Sequence, residues 1–481
     1  MAEYHVENFG CRASRSDGEA IAAGLRSRGL SQASDLDSAH LVILNTCSVT
    51  AEADRSARAY IRRVRRQNPQ AKIVVTGCYA QRAPDEVAAL EGVDAVIGNS
   101  HKRFAIEAAA LRATPDTGFG GRFLWSRGQG DLAGSSGLIP VSALTRGTAQ
   151  IFVDPTFAHA ELASLPFAAD ARQTRPNMKV QDGCGNRCSF CVIPATRGPS
   201  RSVPLETCLE DVRRFVDSGG QELVLSGINL GRWGRDLVPA RTFVELVGAI
   251  LRTTELPRLR LSSIEPMDWA SGGGGSELLG LFREYATGLH ARLAPHAHLP
   301  LQSGSDAILR RMHRRYRPWH YAEQVGAIRA ALPDAAIGAD VMVGFPGETD
   351  AEFRESYGFI AALPLTYLHL FPFSARPGTA GWELHRESPV AAAAVAERMA
   401  ALRALIEGKN LDFRARFIGK QMSVVTLISG KEMRGRHCSS GMTDNFVSVE
   451  IEGDLEPNRM VLVQVTGLTA HGLAGRVADE L

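Results

Sequence analysis

The sequence has very little lysine. Only Lys72, Lys102, Lys179, Lys409, Lys420 and Lys431 occur, so 48 of the 54 basic residues are arginine. A GC-rich genome produces the same bias, and the net charge of +2 selects no class of partner. Arginine nevertheless suits bidentate phosphate recognition and stacking on bases. Long apolar runs are also missing. No window approaches the roughly eighteen uninterrupted apolar residues of a membrane-spanning helix, and the opening Met-Ala-Glu-Tyr-His-Val-Glu lacks the basic and apolar regions of a secretory signal. These absences lead to the expectation of a cytoplasmic protein with no membrane partner. What is present is ordinary for a globular protein: 44% hydrophobic and 22% charged residues. A chain of 481 residues exceeds one compact core, so several domains are expected.

Residues 1–112 alternate strand and helix: strands at Tyr4–Asn8, Leu41–Asn45, Lys72–Thr76 and Ala95–Ile97, helices at Asp17–Arg28, Ala51–Gln67 and Pro84–Leu90. This pattern predicts an open α/β, Rossmann-like domain with a parallel sheet. Residues 113–175 lack periodicity and read as a linker, with one strand near Gln150–Val153. Over 176–416 six strands are predicted, at Met178–Gln181, Glu222–Leu225, Arg258–Ser262, His298–Gln302, Gly338–Val343 and Tyr367–Phe371. Helical segments lie between them, and Gly272–Gly275 reads as a loop. Six βα units imply a partial (β/α)6 barrel rather than the full eight. Val390–Arg416 is helical, and 417–481 reads as a small β-barrel from strands at Ser423–Ile428, Phe446–Ile451 and Met460–Thr466.

The eight cysteines are not expected to form disulfides in a cytosolic chain, and six of them fall into two groups of three. In Asp182-Gly-Cys-Gly-Asn-Arg-Cys-Ser-Phe-Cys191 the thiols of Cys184, Cys188 and Cys191 follow a strand at spacing C-x3-C-x2-C. Thiolates select iron–sulfur clusters or zinc. A structural zinc site takes four ligands, and no fourth Cys or His stands nearby, whereas three cysteines on a 4Fe–4S cluster leave one iron open. A zinc knuckle, or three unrelated cysteines, is the competing reading. Gly183 and Gly185 are expected to let the loop fold tightly, and Phe190 to shield it. With its aromatic before the third cysteine, the loop resembles the signature of the radical S-adenosylmethionine (SAM) superfamily. That resemblance implies a 4Fe–4S cluster on Cys184, Cys188 and Cys191 as the catalytic centre, with SAM chelating the open iron. It also implies SAM contacts from Gly219, Gly220 and Glu222, although a Gly-Gly helix stop explains that segment equally well.

Cys11, Cys47 and Cys78 each stand just past a predicted strand, in Val-Glu-Asn-Phe-Gly-Cys11, Val-Ile-Leu-Asn-Thr-Cys47 and Ile-Val-Val-Thr-Gly-Cys78. Groups beyond the carboxyl ends of parallel strands share one crevice, so three thiols there suit a second cluster; one buried free cysteine alone would mean nothing. Together with Asn45-Thr-Cys-Ser-Val-Thr50, Thr76-Gly-Cys-Tyr-Ala-Gln81, His298-Leu-Pro-Leu-Gln-Ser-Gly-Ser305 and Val343-Gly-Phe-Pro-Gly-Glu348, the chain resembles the radical SAM methylthiotransferases. One departure is Ser14, where that family usually has Asn.

The resemblance implies two 4Fe–4S clusters, one of them a metal site of Cys11, Cys47 and Cys78. It implies two uses of SAM: methylation of a sulfur at the auxiliary cluster, and cleavage to a 5′-deoxyadenosyl radical that drives methylthio transfer. A C-terminal RNA-binding (TRAM) domain, a tRNA substrate and an external electron donor are implied as well; a monomer is favoured, but the sequence leaves the oligomeric state open. Gln302 and Ser303, at a strand end, are candidates for the SAM or substrate cavity, as is Glu265. His296 and His298 read as structural, and Cys208 and Cys438 receive no role. Arg55, Arg58, Arg62 and Arg66 recur at helical spacing, with Ile61 and Val64 toward the core. Lys431, Arg434, Arg436 and His437 gather in one expected loop before Met442–Phe446, and both sets suit a phosphate backbone. Within the family the chain looks most like the branch acting on N6-threonylcarbamoyladenosine at position 37 of tRNA. The isopentenyladenosine branch, the ribosomal-protein aspartate branch and a non-catalytic iron–sulfur RNA-binding protein are the alternatives.

Overall fold

A computed structural model describes residues 2–106, 149–157, 174–269, 277–433 and 436–480. The described residues form two compact units, one carrying the first six strands and the other everything after them.

In the first unit, β1 (Glu3–Asn8), β2 (Ser31–Gln32), β3 (Leu41–Thr46), β4 (Lys72–Gly77), β5 (Ala95–Gly98) and β6 (Gln150–Phe152) form one sheet in the order β2-β1-β3-β4-β5-β6. Every pairing is parallel. β3 is buried along its whole length, as a strand covered on both faces must be. The order reverses between β1 and β3, and in open α/β sheets ligands bind beyond the carboxyl ends of the strands at such a switch. The helix expected at Asp17–Arg28 spans Arg12–Arg26, beginning directly after Cys11. The strand near Gln150 pairs with β5, so it belongs to this sheet and not to a linker. The rest of the expected linker, and Gly272–Gly275, lie largely or wholly outside the described residues.

The second unit begins with β7 (Asn177–Asp182), the short antiparallel β8 (Arg201–Ser202), β9 (Glu222–Gly227) and β10 (Arg258–Leu261), ordered β10-β9-β7-β8. β11 (His296–His298), β12 (Ala336–Val343) and β13 (Tyr367–Pro372) form a second parallel sheet. A single parallel bridge, Leu259–Leu293, links the two sheets, giving six parallel strands in sequence order: the expected partial barrel. The fourth strand was expected at His298–Gln302, but its ladder ends at His298. Pro300 has no N–H to donate, and Gln302 leaves the strand with φ 67°.

At the carboxyl end, β14 (Gln421–Met433), β15 (Arg436–Thr443), β16 (Ser448–Glu452), β17 (Met460–Leu468) and β18 (Leu473–Glu480) close a barrel in the order β14-β15-β16-β18-β17. Three strands were expected here. β15, Arg-His-Cys-Ser-Ser-Gly-Met-Thr, has no apolar alternation and reads as loop, yet it pairs along β14 with Lys431 opposite Cys438 and Met433 opposite Arg436. The supposed basic loop is therefore a hairpin, with Arg434 outside the described residues.

A charged knot joins this barrel to the partial one. Glu222 on β9 is fully buried and pairs with Arg260 at 2.7 Å, Arg175 at 2.6 Å and Arg258 at 3.4 Å. Arg258 donates to the Ser423 hydroxyl of β14, and Arg260 to the Thr443 carbonyl of β15 at 3.1 Å. Burial opposes ionisation of Glu222, but the three arginines win and hold its carboxyl well below the usual range.

Candidate active site

The loop after β7 is held from both sides. Gly183 has φ 74°, and a Cβ there would stand 1.9 Å from the Pro199 carbonyl oxygen, so glycine is required. Gly185 has open space around its Cα, so of the two expected glycines only Gly183 is needed for the fold. Asp182 receives Gly183 N–H at 2.8 Å, Arg197 at 2.9 and 3.0 Å and Lys179 at 2.8 Å. Cys184 N–H donates to the Gly198 carbonyl at 3.0 Å.

Donors then aim at the sulfurs. The Asn186 N–H lies 3.4 Å and the Asn229 side-chain amide 3.5 Å from Cys184 Sγ. Arg314 Nη1 lies 3.3 Å from Cys188 Sγ, while its Nη2 donates to Glu265 at 2.6 Å. Glu265 is thus an ion-pair partner that fixes the guanidinium against the cysteine loop. Burial raises the pKa of Cys184, and burial followed by the charges of Cys188 and Cys184 pushes Cys191 up to about 12. A nearby cation would offset that rise for Cys184 and Cys191, and three thiols on one loop are a donor set that suits a metal cluster. Among the described residues, the only His, Cys, Asp or Glu atoms grouped closely enough for one ion are elsewhere.

Gln302 lies beside this loop's barrel mouth, bridged to Val341, and its buried Oε1 has no hydrogen-bond partner among the described residues. Gln302 thus combines a left-handed backbone, rare outside glycine, with a buried unpartnered amide oxygen. The backbone beyond it is pinned: Gly304 N–H donates to Ser356 at 2.8 Å and Ser305 to Glu355 at 2.7 Å. Ser303 is buried, its hydroxyl accepting from Ser305 N–H at 3.2 Å. Phe190 packs on the apolar group of Ile308, Met312, Met342 and Phe345.

Gly219, Gly220 and Glu222 are not at this mouth. They stand at the amino end of β9, whereas the cysteine loop follows the carboxyl end of β7, where Gln181 pairs with Gly227. Five residues of strand separate the two ends, about 17 Å. Gly219 ends a helix with φ 85° and its carbonyl accepts from Asn458 at 2.9 Å, while Glu222 is consumed by the arginine knot. The residue in the expected place is Asn229, just past β9, whose N–H is held by Gln181 Oε1 at 2.7 Å. Its side-chain Oδ1 is buried without a hydrogen-bond partner among the described residues. Asn229 and Arg314 escaped the sequence reading because only tertiary folding brings them to the sulfurs.

In the first unit, Cys11 caps the amino end of its helix after β1, Cys47 follows β3 and Cys78 opens the helix after β4. Adjacent strands keep these positions level, with Asn8 opposite Asn45 and Thr46 opposite Gly77. Gly10 has φ 115°, and a Cβ there would meet Cys47 Sγ at 2.8 Å, so the segment before Cys11 lies directly on Cys47. Asn99, past β5, donates to Cys78 Sγ at 3.5 Å. Cys11 is exposed while Cys47 and Cys78 are buried. Ser14, in place of Asn, donates to the Phe9 carbonyl at 3.0 Å and supports the same turn.

Residues 3–98 match the model of "Uncharacterized protein family UPF0004", and residues 178–360 match the radical SAM superfamily. The threonylcarbamoyladenosine tRNA methylthiotransferase MtaB of Aquifex aeolicus is 32% identical over 95% of this chain and 99% of its own. The chain belongs to the radical SAM methylthiotransferases. The MtaB protein of Thermotoga maritima is 31% identical over 100% of this chain and 98% of its own. The tRNA-2-methylthio-N(6)-dimethylallyladenosine synthase of Novosphingobium aromaticivorans is 31% identical over 99% and 97%. The radical SAM methyltransferase TsrM of Kitasatospora setae, solved with cobalamin and a [4Fe-4S] cluster, superposes with a TM-score of 0.55. It covers 80% of this chain and 78% of its own at 16% identity, a likeness of fold. As a radical SAM methylthiotransferase, the protein is an enzyme that works with SAM and 4Fe–4S clusters.

The remaining candidates divide. Arg55, Arg62 and Arg66 are exposed on helix Ala51–Gln67, and Ile61 and Val64 are buried as expected; Arg58 is engaged by Tyr79 at 2.8 Å and Glu86 at 2.9 Å. Phe446 is no free stacking platform: its ring lies 4.6 Å from His296 and 5.5 Å from Tyr367. Cys208 is buried in the core. Cys438, expected in a loop, is on β15. No helix among the described residues is long and apolar enough to cross a membrane.

Proposed function

We propose that the protein is a tRNA methylthiotransferase that converts N6-threonylcarbamoyladenosine at position 37 to its 2-methylthio derivative. The observation that carries the reading is likeness over nearly the whole chain to relatives named for that substrate, at 30–32% identity. In this reading Cys184, Cys188 and Cys191 hold one 4Fe–4S cluster, and Cys11, Cys47 and Cys78 hold the auxiliary one. When bound, these groups and SAM supply the radical and the sulfur that acid–base side chains lack.

The chain's own residues do the rest. Asn186, Asn229 and Arg314 direct N–H groups at the sulfurs and stabilise their negative charge. Gln302 and Asn229 offer the orphaned amide oxygens that suit the ammonium of the SAM methionyl group. Phe190, Met312, Met342 and Phe345 give the cysteine loop an apolar flank that would limit water there. The exposed arginines of helix Ala51–Gln67 supply a phosphate-binding face, and the electrons come from an external donor.

The dimethylallyladenosine relative at 31% identity favours a second reading, the isopentenyl-type substrate. Mass spectrometry of tRNA nucleosides from cells with and without the gene separates them. Loss of 2-methylthio-threonylcarbamoyladenosine is expected. An unchanged level, with loss of the isopentenyl derivative instead, transfers the assignment to the second reading.

A further inference from the structure

Three neighbouring strands of the partial barrel bring polar residues to one face: His296 and His298 on β11, Asp340 on β12, Tyr367 and His369 on β13. The register places Asp340 opposite His369 and, two residues from Gly338, just beyond His298. His298 Nε2 lies 3.1 Å and His369 Nδ1 3.2 Å from Asp340 Oδ1, and all three ligand atoms fall within 4.8 Å of one another. We propose that His298, Asp340 and His369 bind one divalent first-row transition-metal ion, apart from both cysteine groups.

The distances suit that reading. Ligands about 2.1 Å from a zinc-sized ion stand roughly 3.0–3.5 Å from each other. A second observation points the same way. His298 Nε2 is buried and faces Asp340 Oδ1 at 3.1 Å, so the two atoms are already poised to share one ion. Its other nitrogen is held from outside the group. His298 Nδ1 lies 3.0 Å from the Tyr367 hydroxyl, which also lies 2.7 Å from His296 Nε2. The tautomer in which His298 Nδ1–H donates to the Tyr367 hydroxyl leaves Nε2 to ligate an ion shared with Asp340 Oδ1. A histidine whose second nitrogen donates to an outer partner is the usual arrangement of a metal ligand.

Access and open coordination positions are also present. The His369 side chain is 53% exposed and that of Asp340 24%, so an ion reaches the site from solvent and retains water or a substrate group. Two imidazoles and a carboxylate without thiolate suit Zn²⁺, Fe²⁺, Co²⁺ or Mn²⁺ in preference to a cluster. His298 lies in the His298-Leu-Pro-Leu-Gln302 segment, four residues before Gln302. The site does not depend on which nucleoside is modified.

The test uses the cluster-loaded full chain, equilibrated with Zn²⁺ and desalted, with zinc and iron counted per chain and the zinc edge examined by X-ray absorption. One retained zinc is expected, with a nitrogen and oxygen shell at about 2.0–2.1 Å and imidazole scattering. His369→Ala, at a half-exposed position, and the isosteric Asp340→Asn should each weaken zinc binding at least about tenfold while iron stays constant. A wild-type chain that retains no zinc, a sulfur shell near about 2.3 Å, or affinity unchanged by His369→Ala overturns the proposal.

Discussion

The two cysteine groups reach the same ligand count by opposite routes. Cys184, Cys188 and Cys191 share one loop whose shape is set locally, by Gly183 against Pro199 and by Asp182 between Lys179 and Arg197. Cys11, Cys47 and Cys78 come from three separate strand ends and stand level only because β1, β3 and β4 pair in register. The loop-closure entropy of the second group is therefore discharged by folding the sheet, that of the first by one turn of chain. A local site tolerates damage to the fold around it, whereas a dispersed one reports the integrity of the whole sheet.

The largest expected effect separates the two roles. Cys184→Ala should abolish reductive SAM cleavage, measured as 5′-deoxyadenosine by chromatography. Replacing Cys11, Cys47 and Cys78 by Ala should leave that cleavage measurable while methylthio transfer is lost and bound iron falls to half. Full iron retention in the triple variant would remove the second cluster and, with it, the comparison.

Next comes the knot beneath the barrel. Glu222→Gln leaves Arg258 and Arg260 buried without a counter-charge and should cost about 3–5 kcal/mol in urea denaturation. Because the Glu222 carboxyl is held below its ordinary value, its stabilisation is complete above about pH 4.3. It is lost as the pH falls toward the folded-state value, so the gap between variant and wild type should narrow only in acid.

Smaller effects sharpen the local contrast. Gly10→Ala forces a Cβ against Cys47 at a left-handed backbone position and should cost about 1–3 kcal/mol, with iron lost from the first unit before SAM cleavage is affected. Gly185→Ala, with open space at its Cβ, should change stability by less than about 0.5 kcal/mol. A melting curve for each variant checks both; equal losses would mean that the central loop is as constrained as the sheet.

Much of this was readable in the chain because each cysteine of the first unit carries its own strand beside it, and the central loop carries its spacing. The misreadings have physical causes. Gly219-Gly220 before a strand is produced equally by a helix terminus and by a ligand loop, and here the helix terminus accounts for it. β15 lacks alternation because Gly441 lies where a Cβ would strike Val424 at 2.4 Å, and Ser439 and Thr443 are buried through hydrogen bonds instead of apolar contact. Asn229, Arg314, and the grouping of His298 with Asp340 and His369 depend on register between distant strands, which no local pattern encodes.

The arginine knot changes how the carboxyl-terminal barrel should be regarded. Arg258 and Arg260 reach out of one domain to bond Ser423 and Thr443 of the next, and Phe446 covers His296 and Tyr367. The barrel is thus the floor of the catalytic domain as well as a candidate RNA-binding appendage. A chain cut before Gln421 would open the buried Arg258, Arg260 and Glu222, and the histidines beside Tyr367, to water, so deletion cannot serve as a clean assay of tRNA affinity.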